Sequence, residues 1–139
     1  RVKELGLVVI DYCGLVSPSD PRIPREQQIA GISKDGKLLA EELKCPVLLL
    51  SQLNRSVEQT SREPRLSDLR ESGALEQDAD AVVFLHQPDK EDKERITLIL
   101  AKNRFGHTGV SSLRFDRNTQ TFNKPHSEVK KPYRSPFAD

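Results

Sequence analysis

Continuous runs of apolar residues alternate along the chain with polar segments, and each run has the length of a β-strand. Residues 5–10, 47–50 and 81–85 form three such runs. A run that is apolar at every position predicts a strand covered on both faces, which is typical of parallel sheets. Residues 25–44, between the first two runs, carry apolar side chains at helical spacing. The order strand, helix, strand therefore predicts a right-handed βαβ unit.

The second half of the chain has a different pattern, with short apolar segments separated by turn residues. Close spacing of this kind predicts antiparallel hairpins, which we expect at one edge of the sheet. The segments are residues 96–101, 110–115 and 120–122. From Lys124 onward the composition shifts to Pro, Lys, Ser and Tyr without an apolar pattern, which predicts a disordered tail over residues 124–139.

Gly36 falls on the apolar face of the predicted helix, well inside it. A glycine there costs about 1 kcal/mol relative to alanine. Two interpretations stay open: the glycine permits close packing of another backbone, or it simply weakens the helix.

Composition narrows the classes of protein that fit. The chain has 139 residues, a net charge of +1 and no methionine. Because Arg1 runs almost directly into a core strand, we expect a fragment of a larger protein. Cys13 and Cys45 fit neither a metal site nor a disulfide framework and are expected to be buried thiols. No apolar run approaches the roughly 20 residues of a membrane span, and we expect the protein to be located in the cytoplasm.

Polar side chains follow the first two predicted strands. Asp11 ends the first apolar run and Gln52 follows the second. The carboxyl ends of adjacent parallel strands meet at one edge of a sheet, where open α/β folds bind ligands. A carboxylate there can hold Mg²⁺, and a glutamine can contact a γ-phosphate or orient a water. The alternative is that both are ordinary polar residues of turns.

Two further groups of residues suit phosphate chemistry. Lys102 and Arg104 are separated by one residue at the end of a strand, so their side chains point the same way and could reach a neighbour's phosphates. The alternative is a pair of solvated charges on an edge strand. Arg70 with Gly73 suits the phosphates of a single strand, and the alternative is a helix start with an exposed arginine.

Four segments occur in an order that resembles DnaB-type replicative DNA helicases, over roughly residues 5–123. The block from Leu66 to Asp80 is the most specific part of the resemblance. The segments are Val9-Ile10-Asp11-Tyr12, Ser51-Gln52-Leu53-Asn54-Arg55, Leu66–Gly73 with Glu76–Asp80, and Ala101-Lys102-Asn103-Arg104 with Thr108-Gly109.

The resemblance implies an α/β fold of the RecA-like, P-loop NTPase type. Such a fold has a parallel sheet with helices on both faces and antiparallel hairpins at one edge, present here as a partial domain over residues 1–123. It also implies a motor that couples ATP hydrolysis to translocation on single-stranded DNA and to duplex unwinding during replication. ATP and Mg²⁺ would be the cofactors, and the intact protein would form a homohexameric ring with primase and a helicase loader as possible partners.

The resemblance also assigns roles to matching residues. Asp11 would hold the Mg²⁺ of bound ATP, and Gln52 would sense the γ-phosphate. Lys102 and Arg104 would act in trans on ATP held by the adjacent subunit. The loop that lines the central channel and holds the DNA backbone would include Arg70, Glu71 and Gly73.

Departures and alternatives accompany these roles. Cys13-Gly14 replaces the Leu-Gln that usually follows Asp-Tyr in the family, Gly36 replaces a large apolar residue, and Phe105 and His107 replace Asn and Pro. No G-x-x-x-x-G-K-[ST] motif occurs in the 139 residues, so this segment should not hydrolyse ATP alone. A RecA-like recombination ATPase and a non-catalytic nucleic-acid-binding or assembly module stay open as alternatives.

Overall fold

The computed structural model describes residues 4–16, 22–54, 57, 62–69 and 73–124, and these divide into two compact units. The first unit comprises residues 1–54 and 67–79, and the second comprises residues 55–66 and 80–139. Most of the predicted tail, residues 125–139, lies outside the described residues.

The first unit is built on a parallel β–helix–β arrangement, as the sequence predicts. Strand β1 (Val8–Ile10) pairs in parallel with β2 (Val47–Leu49), with Val9 opposite Leu48. Helix α1 (Arg25–Leu43) connects them and has 19 residues. It ends at Lys44, whose φ of 51° is left-handed, and Pro46 then prevents the helix from continuing.

The predicted burial of both faces of these strands is wrong. Val9 and Leu48, which are paired, are each 53% exposed, and Leu7 and Leu50 are exposed as well. Their neighbours along each strand are half-buried, so the two faces differ. Helix α1 packs against β2. The apolar runs therefore carry a second apolar face that stands largely in solvent here.

A second helix, α2 (Gly73–Asp78), packs against α1 within the same unit. The hydroxyl of the buried Ser33 donates a hydrogen bond of 2.7 Å to Asp78 Oδ2, and Leu75 of α2 is buried. A 3₁₀ turn at Leu66–Asp68 precedes α2 in the chain. Cys13 and Cys45 are free and buried, as predicted.

The second unit is a four-stranded antiparallel meander, so the predicted hairpins are present. Its strands, in order across the sheet, are β3 (Ala81–His86), β4 (Arg95–Asn103), β5 (Gly109–Asp116) and β6 (Thr121–Asn123). The third apolar run forms β3, and its predicted parallel pairing with two covered faces is wrong, because it pairs antiparallel with β4 and leaves Val83 and Leu85 exposed.

The core pair is Phe84 opposite Ile99, at 4% and 1% exposure. Phe115 packs against Phe122, with the ring centroids 4.8 Å apart and the planes tilted by 43°.

Gly36 lies inside α1, and a Cβ built on it would meet nothing within 4 Å. The interpretation that it permits a close backbone approach is therefore wrong in this structure. Among the described residues nothing packs closely against this position, so there the glycine lowers helix stability without a packing reason.

No helix within the described part of the chain is long and apolar enough to cross a membrane.

Candidate functional site

Asp11 and Gln52 line one cavity at the carboxyl ends of β1 and β2, as the strand polarity predicts. The cavity has a volume of about 300 Å³ and is open to solvent. Tyr12, Leu50 and Ser51 complete its lining. The side chains of Asp11 and Gln52 are exposed, so both are available to a ligand that enters from solvent.

Two backbone hydrogen bonds hold these strand ends together beyond the regular pairing. Leu50 N–H donates to the carbonyl of Ile10 at 3.0 Å, and Cys13 N–H donates to the carbonyl of Leu50 at 2.9 Å. Asp11 lies between the two residues of its own segment that make these bonds. The backbone on either side of the carboxylate is therefore anchored to the strand that leads to Gln52.

Cys13-Gly14, the departure from the usual family sequence, packs closely around Tyr12. The Cys13 side chain is buried. A Cβ on Gly14 would overlap the Tyr12 ring, so the absence of a side chain at Gly14 lets the ring lie against the backbone. The peptide bond between Asp11 and Tyr12 is cis.

The oxygen donors at this cavity suit a magnesium ion that is bound together with phosphates. Asp11 contributes a carboxylate, and Ser51 and Gln52 contribute a hydroxyl and an amide oxygen. Among the described residues no group of three or more His, Cys, Asp or Glu side chains could hold a metal ion. Mg²⁺ in nucleotide sites is commonly held by one or two carboxylates plus substrate phosphates and water, so a single aspartate fits that mode.

Gly31, Gly36 and Lys37 have the spacing of a phosphate-binding loop, but they do not form one. Leu38 stands where that motif requires serine or threonine, and all four residues lie inside α1. Their backbone N–H groups belong to an uninterrupted helix and cannot wrap around a phosphate.

Lys102 and Arg104 lie together in the second unit. Lys102 belongs to β4 and pairs with Val82, whereas Arg104 follows the end of the strand. The backbone N–H of Arg104 donates to the carbonyl of Asp80 at 2.7 Å. The guanidinium Nη1 lies 3.1 Å from Asp80 Oδ1, which forms an ion pair.

Asn103 organises the turn that follows β4. Its Nδ2 donates to the carbonyl of His107 at 3.1 Å, and its Oδ1 accepts from Phe105 N–H at 3.3 Å. A Cβ on Gly106 would lie 2.9 Å from Asn103 Nδ2, so glycine keeps this amide in place. The neighbouring Phe105 side chain is 83% exposed.

Sequence reasoning missed two residues here, Asn103 as the organiser of the turn and Asp80 as the counter-ion of Arg104. The neighbours become apparent only from the observed strand bounds, since Asp80 immediately precedes β3 and Arg104 immediately follows β4. In an antiparallel pair these two positions are neighbours.

Two of the three residues predicted to contact DNA, Arg70 and Glu71, lie outside the described residues. The third, Gly73, is the exposed first residue of α2, and a Cβ built on it would meet none of the described residues within 4 Å.

Comparison with known proteins identifies the family. The family model of the DnaB-like helicase C terminal domain matches residues 1–124. Replicative DNA helicase DnaB of Geobacillus stearothermophilus is 45% identical over 132 residues, which cover 88% of this chain and 29% of that protein. Replicative DNA helicase DnaB of Mycobacterium leprae is 50% identical over 111 residues, which cover 76% of this chain and 18% of that protein. The chain therefore spans less than a third of the length of these relatives.

Comparison with solved structures points to the same family as the sequence relatives. A structure of an ATPase domain superposes with a TM-score of 0.79 at 43% identity, over 86% of this chain and 44% of that one. A structure of a DnaB-like replicative helicase and its interactions with primase gives a TM-score of 0.78 at 43% identity, over 86% of this chain and 30% of that one. These matches confirm the RecA-like α/β fold class, present here in part. The chain belongs to the family of DnaB-like helicase C-terminal domains.

Proposed function

We propose that this segment is part of the ATP-driven motor of a replicative DNA helicase, which moves along single-stranded DNA and separates the duplex during replication. Membership of the DnaB-like family supports the proposal. The observation that carries it is the shared cavity of Asp11 and Gln52 at the ends of two parallel strands.

In this proposal Asp11 and Gln52 form half of a nucleotide site. Asp11 would hold the Mg²⁺ that accompanies ATP, which when bound neutralises charge on the phosphate oxygens. The amide N–H of Gln52 would donate a hydrogen bond to the γ-phosphate, or its amide oxygen would accept one from the attacking water. The backbone bonds that flank Asp11 would keep its carboxylate in place while ligands exchange.

Lys102 and Arg104 would complete the site of the adjacent subunit in a hexameric ring. The exposed turn that follows β4 is suited to this role, because a side chain there can reach beyond its own subunit. Phosphoryl transfer spreads negative charge over the oxygens of the transferred group, and a guanidinium stabilises that charge.

Arg70, Glu71 and Gly73 would belong to the loop that holds the DNA backbone. Gly73 supports the proposal because nothing inside the described structure requires glycine there. Arg70→Ala in an intact protein that carries this segment should weaken single-stranded DNA binding regardless of sequence. It should also reduce the log–log salt slope by about 0.7, and an unchanged slope would contradict the role.

Primase and a helicase loader are proposed partners, and the cytoplasm is the proposed location. One of the similar solved structures is of a DnaB-like replicative helicase and its interactions with primase. The present chain would supply part of the motor to which such partners attach.

Asp11→Asn in the intact protein tests the proposed nucleotide site. The substitution removes the charge and keeps the volume, so ATP hydrolysis should be abolished while the thermal unfolding curve stays unchanged. Asp35→Asn makes the same chemical change at an exposed position on α1 and should leave hydrolysis unchanged.

Hydrolysis by Asp11→Asn at the wild-type rate would contradict the proposal and leave Asp11 as a strand-end residue. DNA binding without any ATP turnover by the wild-type intact protein would favour a non-catalytic binding module instead.

A further inference from the structure

Asp80 contacts Arg104 through both backbone and side chain. The pairing of Ala81 with Asn103 places the residues on either side of it, Asp80 and Arg104, next to each other. The backbone bond from Arg104 N–H to the carbonyl of Asp80 is 2.7 Å long, and the ion pair between their side chains spans 3.1 Å. The Asp80 Oδ1 atom that faces Arg104 is shielded from solvent. Asp80 therefore contacts both the backbone N–H and the guanidinium group of Arg104.

From this geometry we propose that Asp80 is a positioning residue, which holds the Arg104 side chain in the orientation from which it reaches the phosphates of a neighbouring subunit's nucleotide. This inference rests on the trans role proposed above for Arg104.

The physical benefit is a smaller loss of conformational freedom when nucleotide arrives. An arginine side chain has many rotamers, and ordering them at the moment of reaction carries an entropic cost. A carboxylate that already restrains the guanidinium lowers that cost, because the group starts near its working geometry.

The contact is also weak enough to be shared or exchanged. The Arg104 and Asp80 side chains are 46% and 40% exposed, and ion pairs at this exposure contribute little to folding stability. The sheet is instead stabilised by its core, in which Phe84 and Ile99 are buried. Asp80 can therefore be changed without unfolding the sheet.

The same sheet carries a matched ion pair at the opposite end of β4. Arg114 Nη2 lies 2.8 Å from Glu94 Oε2, and Arg114 pairs with Arg95 at the start of β4. Glu94 raises the pKa of Arg114 through its hydrogen bond, and Asp92 adds to the effect. This second pair has comparable exposure and lies far along the strand from Arg104, so its removal is a control for the loss of a surface ion pair.

Asp80→Asn in the intact protein tests the inference. We expect kcat for ATP hydrolysis to fall by up to about fivefold, as the loss of one exposed ion pair predicts, with KM for ATP unchanged. Asp80→Glu should restore part of the rate because it returns the charge. Glu94→Gln should leave kcat unchanged.

A second measurement does not depend on turnover. In the nucleotide-free intact protein with ¹⁵N-labelled arginine, the Arg104 Nε–Hε signal should become more mobile in Asp80→Asn and stay unchanged in Glu94→Gln. The signal is assigned by its loss in Arg104→Lys.

An unchanged or increased kcat in Asp80→Asn, alongside an inactive Arg104→Ala, would overturn the positioning role and leave the trans role of Arg104 standing. Unaltered Arg104 mobility in Asp80→Asn would also overturn it. Full activity of Arg104→Ala would overturn the trans role itself and the inference with it.

Discussion

The two units of the chain offer functional groups in different ways. In the parallel unit, β1 and β2 have three residues each, are joined by a 19-residue helix and open into a cavity where they end. In the antiparallel unit, β4 has nine residues and pairs on both sides through local hairpins. The first presents a carboxylate and an amide at strand ends, whereas the second presents cations at a hairpin turn. Local hairpins complete their own pairing, while a parallel pair depends on a long connection.

The same contrast appears in the cores. Ile99 in the antiparallel sheet is 1% exposed, whereas Leu48 in the parallel pair is 53% exposed. Ile99 and its partner Phe84 lie on a covered face of the antiparallel sheet, whereas Leu48 and its partner Val9 lie on a face of the parallel pair that stands in solvent. Truncating Ile99 and truncating Leu48 should therefore have unequal effects.

Ile99→Ala should lower the free energy of unfolding by about 2–5 kcal/mol, because it removes buried apolar atoms and leaves a cavity. Leu48→Ala should cost about 1 kcal/mol, because half of that side chain is already in water. Urea unfolding of this chain, followed by circular dichroism, measures both. Equal losses for the two substitutions would contradict the contrast between the cores.

Two glycines of the parallel unit, Gly36 and Gly14, differ in the space that an added methyl group would find. Gly36→Ala should raise the free energy of unfolding by about 0.5–1 kcal/mol, because the new methyl group meets no neighbour and helix propensity improves. Gly14→Ala should give no such gain, because its Cβ would overlap the Tyr12 ring. Thermal unfolding compares them. Destabilisation by Gly36→Ala would show that this position has a packing constraint after all.

The smallest expected effect concerns acid stability in the antiparallel unit. Backbone N–H groups of Asn118 and Thr119 donate to the Asp116 carboxylate and hold its pKa below the ordinary 3.8, with the Thr119 side chain adding to the effect. Its contribution to stability is therefore fully present above the unfolded pKa and is lost as pH falls through the lower folded pKa. An NMR titration should find the carboxyl of Asp116 below 3.8, and a value at or above it would contradict this account of the turn.

In the parallel unit the proximity of Asp11 and Gln52 was predictable from the sequence, whereas the packing was not. Asp11 and Gln52 could be placed together because parallel strands share polarity. The exposure of Val9 and Leu48 could not be inferred. A continuous apolar run shows that a strand can be covered on both faces, but it does not show which faces are covered in this chain. The roles of Arg70 and Glu71 stay predictions, since both lie outside the described residues.

The antiparallel unit shows the complementary limit. Its hairpins follow from the short spacing of turn residues, but the partner of Arg104 depends on the register between β3 and β4. That register shifts between Val82 and Val83, and the local sequence does not predict the shift. Asp80 therefore became visible as the counter-ion only in the structure.

The central claim is that Asp11 acts on the nucleotide of its own subunit and Arg104 on that of the neighbour. The most direct test mixes two variants of the intact protein that are expected to be inactive, Asp11→Asn and Arg104→Ala. Mass spectrometry of the native assembly verifies that subunits have exchanged. Single-turnover ATP hydrolysis is then measured, because one competent interface is sufficient for a signal. If Asp11 serves its own subunit's nucleotide and Arg104 serves the neighbour's, mixed assemblies contain interfaces with both residues intact, and partial hydrolysis should return. Exchanged assemblies that stay as inactive as either variant alone would contradict the account.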